Sequence, residues 1–159
     1  MKNESGSLSP ETENALHETM AVLSPPKSVE EVRELLDLTE KGLVRNTVSN
    51  AEMILSYDPL LRDSVRYNEL TQRVDVVKPM GWERGSNGPA LTDNDIFNFH
   101  LYCDRTYGIT SKVLVEEAVS IVANRNAYHP IRDFLNSLEW DGKPRVRYAL
   151  RHFLGADDS

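Results

Sequence analysis

His100 and Cys103 stand three positions apart, a spacing that puts two side chains on one helical face and can bring an imidazole and a thiolate to one zinc ion. A second Cys/His pair at matching spacing is absent. The bland alternative, which is favoured, makes Cys103 a small buried apolar residue with His100 half exposed beside it. Cys103 with His100 or His129 as base is a nucleophile pair lacking the third group that would orient the base. Asp93 and Asp95 can hold a cation, but the same residues serve the positive end of a helix dipole in its first turn, and capping is the favoured reading. His129 can act as a general base. It directly precedes Pro130, however, where a residue is held extended and commonly caps a helix, so a structural role is favoured.

The densest cationic text lies near the C-terminal end. Lys143, Arg145, Arg147 and Arg151 are opposed there only by Glu139 and Asp141. Arg147 and Arg151 share a helical face, whereas Arg145 and Arg147 do not. With Arg125 and Arg132 they form a candidate nucleic-acid contact, a patch that adds salt-sensitive phosphate affinity rather than base reading. An ordinary solvated helix face is the alternative. Trp140 beside the patch can stack on a base, although sealing the adjacent turn from the core is favoured. No Walker A signature is present, and Gly85 and Gly88 have neither the spacing nor the lysine of a phosphate loop. The chain alone is therefore expected not to hydrolyse nucleotide, and no catalytic residue, cofactor or metal ligand is assigned.

These residues need a scaffold, and the composition allows one. Apolar residues are 40% and charged residues 27% of the 159, ordinary for a folded domain with a core. The net charge of −7 is uneven, with −5 in residues 1–41, −3 in 42–104 and +1 in 105–159. That acidity excludes a protein coating nucleic acid non-specifically, because such binding draws on many phosphate-neutralising Lys and Arg. A single cysteine excludes an internal disulfide and points to a reducing compartment. No apolar run approaches the roughly 18 residues of a membrane span, and no signal-peptide core opens the chain. A cytoplasmic protein with no membrane partner is the expectation.

Residues 1–27 are expected to be a disordered tail or linker, with a short helix possible over 11–23, and residues 28–159 a helical accessory domain. Ser28 and Glu31 make a capping box for a helix over 29–41 ending at Gly42. A second helix over 48–57 stops at Asp58 and Pro59. Residues 64–68 and 73–77 alternate with β-branched and aromatic enrichment, which predicts a hairpin. A loop over 78–89 follows, with Trp82 folded back onto the sheet. Thr92 and Asp95 open a helix to Tyr107 that buries Ile96, Phe99 and Cys103, with Gly108 at its end. Ser111 opens the next, to Arg125, with Leu114, Ala118, Ile121 and Val122 inward. Pro130 starts a helix burying Ile131, Phe134, Leu135 and Leu138. Asp141 and Gly142 make a turn, and Pro144 opens a last helix to Gly155. The fold class is α+β, mostly helical, with a small β-hairpin inserted among about six helices.

The run over residues 128–145, YHPIRDFLNSLEWDGKPR, closely resembles the virulence-associated protein E family of prophages and mobile pathogenicity islands. The likeness reaches back through the helix at 111–125, Tyr107 with Gly108, and Tyr67, Asn68 and Glu69, and forward through Phe153 to Asp157. It covers about residues 44–159. In that family the segment resembles the region leading into a P-loop ATPase domain related to phage replication helicases, sometimes with a primase upstream. The resemblance implies a piece truncated before that domain, so ATP and Mg²⁺ belong to the ATPase part and not to this chain. It also implies the cytoplasm of a bacterium that hosts a phage or mobile element.

The expected function is a non-catalytic N-terminal accessory region of a phage-type replication helicase or primase-helicase, contributing DNA contact or subunit packing. Implied partners are single-stranded or forked DNA, the ATPase domain of the same parent protein, and a homo-oligomer. A docking module with no direct DNA contact is the alternative. An independent enzyme ranks below both, since it requires a concave pocket gathering His100, His129 or several carboxylates with shifted pKa values.

Overall fold

Local signals place most of the elements in a computed structural model of the protein, which describes Thr19 and residues 25–85 and 88–139. Ser28 caps helix α1 (Val29–Glu34), its hydroxyl accepting from the Glu31 amide at 3.3 Å. The Glu31 carboxylate reaches back to the Lys27 amide at 2.9 Å. Thr47 caps α2 (Val48–Tyr57) in the same way. Strands β1 (Val65–Asn68) and β2 (Arg73–Val76) form an antiparallel hairpin in which Val65 faces Val76 and Asn68 faces Arg73. Helix α3 (Asp93–Tyr107) begins with the reciprocal Thr92–Asp95 box and ends on Gly108 at φ +81°, a left-handed cap that favours glycine. Helix α4 (Lys112–Arg125) and helix α5 (Pro130–Ser137) complete the order. Five helices and one hairpin are thus described, a mostly helical α+β fold. The expected helix at 144–155, the turn at 141–142 and the helix at 11–23 lie outside the described residues.

The chain divides into two compact units, residues 1–128 and 129–159. The division falls inside the stretch expected to be one domain. In the first unit α4 is central, packing on α2, α3 and β1. Its Val115, Ala118, Val119, Val122 and Ala123 meet Ile54, Leu55, Leu61, Val65, Phe99 and Ile109 in one core. Both edges of the hairpin are covered by single bridges, Asn68 with Tyr128 on one side and Asp75 with Ala90 on the other. That covering blunts edges which would otherwise template foreign strands. Among the described residues no helix is long and apolar enough to cross a membrane.

Four expectations are corrected. The first helix ends at Glu34 rather than Lys41, because buried Asn50 claims the following backbone. Its amide oxygen accepts from the Asp37 N–H and its amide nitrogen donates to the carbonyls of Asp37 and Arg45, each at 2.9 Å. Gly42, at φ +73°, therefore serves a tight turn between Leu38 and Val44 rather than a helix end. In α4 the buried face is turned relative to the expected one, leaving Ile121 44% exposed and burying Val115 and Val119 instead. A helix with three neighbours takes its buried face from where they lie. Trp82 folds back onto α3, with its ring edge-on to Phe99 at 5.2 Å and 81°, and lines a cleft together with Val76 of β2.

The second unit supplies the fourth correction. His129 caps α5, its Nδ1 accepting from the Arg132 amide at 3.2 Å, and Pro130 takes the first turn as expected. The apolar stripe of that helix is not buried, since Ile131 is 51%, Phe134 63%, Leu135 57% and Leu138 57% exposed. Helical periodicity set the stripe on one face but named no surface to receive it.

Candidate functional site

Two buried carboxylates, Asp95 and Asp58, each hold aromatic side chains of the first unit. Asp95, 1% exposed, is held by its place in the first turn of α3. Arg84 approaches it with two nitrogens, Nε to Oδ1 at 2.8 Å and Nη2 to Oδ2 at 3.0 Å. The Trp82 indole N–H donates to Oδ1 at 3.1 Å, and the Thr92 amide and hydroxyl donate to Oδ2 at 3.0 and 2.8 Å. Burial alone would raise the Asp95 pKa, but the hydrogen bonds of Arg84, Trp82 and Thr92 outweigh it and hold the carboxyl at about 2 against an ordinary 3.8. This is the expected capping role with an added ion pair.

Asp58, fully buried where α2 ends, satisfies the next backbone turn and two tyrosines at once. Its Oδ1 accepts from the Leu60 and Leu61 amides at 2.8 and 3.0 Å, and its Oδ2 from the hydroxyls of Tyr102 and Tyr107 at 2.9 and 2.7 Å. Burial, and then the hydrogen bond to Asp58, pushes both phenols well above the ordinary tyrosine range. Burial also drives the neighbouring Cys103 thiol up to about 12, with the Asp58 charge adding to it. Cys103 is accordingly a protonated core residue at neutral pH, unsuited to nucleophilic attack.

An open cleft of about 250 Å³ is lined by Leu60, Gly81, Trp82, Leu101 and Tyr102, with Asn98, Arg105 and Thr106. A third polar cluster lies at the hairpin edge. Asp75, 3% exposed, accepts from Tyr128 at 2.6 Å and from Asn68 at 2.9 Å. The Arg66 guanidinium covers the Tyr128 ring at 4.6 Å and bonds the Asn126 carbonyl at 3.0 Å. Burial and the Asp75 hydrogen bond raise the Tyr128 pKa. This cluster closes the first unit at its last residue.

The side chains singled out by sequence scatter. His100 Nε2 bonds the Thr110 carbonyl at 3.0 Å while Cys103 turns into the core. Among the described residues no group of three or more His, Cys, Asp or Glu is placed to hold a metal. Asp93 is exposed and Asp95 buried, which separates that pair. Arg125 bonds Glu52 at 2.7 Å, an exposed cation already facing a carboxylate. Arg132 lies on exposed α5. Lys143, Arg145, Arg147, Arg151 and Trp140 lie outside the described residues. Sequence reasoning missed Asp58, Asp75, Arg84 and Tyr102. Its only signals were an Asp set between Val74 and Val76 in a strand and an Asp before Pro59. No protein-family model matches the chain, and no curated protein matches it.

Proposed function

We propose that this chain is the region preceding a P-loop ATPase domain in a virulence-associated E-like protein, a non-catalytic accessory module of a phage-type replication helicase or primase-helicase. The text of residues 128–145 supports the family. Between DNA contact and packing, the observation that carries most weight is the exposed stripe of α5, with Ile131, Phe134, Leu135 and Leu138 each more than half exposed. Contiguous exposed apolar surface of this kind marks contact with another protein surface. Its occupant is the ATPase domain of the same parent protein, beside which the resemblance sets this segment. The pairing of Arg125 with Glu52 weakens the basic patch as a phosphate contact, leaving that role to Arg132, Lys143, Arg145, Arg147 and Arg151.

Co-sedimentation with the parent's ATPase domain tests the packing role, and fluorescence anisotropy with single-stranded and forked DNA tests the other. Phe134→Asp with Leu135→Asp is expected to abolish association with the ATPase domain. Arg145→Glu with Arg147→Glu is expected to leave that association intact. Low-salt DNA binding lost on the charge reversals, with no association to the ATPase domain, would replace packing by DNA contact. Neither interaction would defeat the proposal.

A further inference from the structure

We infer that the cleft between Leu60, Trp82 and the outer face of α3 is a docking site for a linear peptide that presents one large apolar side chain beside an acidic residue. The inference is independent of the accessory role proposed above. Both aromatic walls have their polar groups already engaged by buried carboxylates. The Trp82 N–H is held by Asp95 at 3.1 Å and the Tyr102 hydroxyl by Asp58 at 2.9 Å. What remains for a ligand is hydrocarbon from these rings together with Leu60 and Leu101. Because both carboxylates are buried, the rings are fixed before anything binds, which lowers the ordering cost of association.

Size and charge narrow the occupant. A cleft of about 250 Å³ lies below the roughly 300–1,000 Å³ of small-molecule and cofactor pockets and suits a single anchoring side chain. Among the described residues no hydrogen bond or ion pair engages Arg105, whose side chain lines the cleft. An unengaged guanidinium in the lining favours a carboxylate next to the anchor. A nucleobase fits less well, because Trp82 is set edge-on against Phe99 and Tyr102 edge-on against Tyr107, and the other apolar walls are leucines rather than stacking platforms.

The test titrates the isotope-labelled full chain with a short synthetic peptide carrying one Leu between Glu residues in a Gly-Ser background. A counterpart peptide has Lys in place of Glu. The Glu peptide is expected to move the Trp82 indole resonance and the amides of residues 98–106, binding about tenfold tighter than the Lys peptide. Arg105→Glu should reverse that preference and Arg105→Gln should erase it, with unfolding midpoints unchanged for both. The inference fails if the resonances stay still at millimolar peptide, or if replacing the peptide's Leu by Ser changes nothing. Indifference of binding to both Arg105 variants overturns it, as does an indole shift given by oligothymidylate alone.

Discussion

At the scale of single residues, the pKa of Asp95 is a statement about stability. Its folded-state value of about 2 lies below the ordinary 3.8, so on acidification the unfolded chain takes up the proton first. The contribution is complete above about pH 4 and is lost as pH falls through about 2, and the gap corresponds to about 2 kcal/mol. Asp95→Asn is therefore expected to destabilise the protein by about 2–3 kcal/mol at pH 7, because Arg84, only 19% exposed at its side chain, loses its ionic partner. The variant should also show a flatter acid limb. Urea unfolding of both proteins between pH 2 and 7 measures this, and superimposable pH profiles would refute the assignment. The Thr92–Asp95 spacing made the cap legible. The reach of Arg84 and Trp82 to the same carboxylate depends on a loop path that no spacing encodes.

At the scale of elements, α3 and α5 carry similar apolar stripes with opposite fates. The stripe of Ile96, Phe99, Cys103 and Tyr107 is buried, with Phe99 at 0% exposure, whereas Phe134 on α5 is 63% exposed. Phe99→Ala should cost about 3–5 kcal/mol through the cavity it leaves. Phe134→Ala should change stability by less than about 0.5 kcal/mol. Denaturant midpoints of the two variants compare them directly, and equal losses would show that α5 is covered in the free chain. Gly42 and Gly108 teach the same lesson in the backbone. Each takes a positive φ, which the residue type announces, but only one of them ends a helix. Asn50 decides the other by drawing Asp37 and Arg45 to itself.

At the scale of the whole molecule, protection should follow the packing. The amides of Val115, Val119 and Val122 in α4, buried among α2, α3 and β1, are expected to exchange slowest. Those of α5, every described residue of which beyond Pro130 is exposed, should exchange fastest. Native-state hydrogen exchange read by mass spectrometry or resonance intensity checks that order. Comparable protection in the two helices would contradict the division of the chain after Tyr128.

What the sequence by itself determined is local: the caps at Ser28, Thr92 and His129, the proline that starts α5, the glycine that ends α3, the hairpin, and the periodicity of the long helices. Each rests on interactions within a few residues, which composition and spacing record. Tertiary structure alone decided which stripe found a partner and which face of α4 turned inward. It also decided that Asp58, Tyr102 and Tyr107, 44 and 49 residues apart along the chain from the carboxylate they share, meet at one point. The candidate cleft belongs to this second class. Its walls come from a turn, a loop and a helix whose meeting is a property of the packed core, and side chains that line it carry no motif until the fold brings them together.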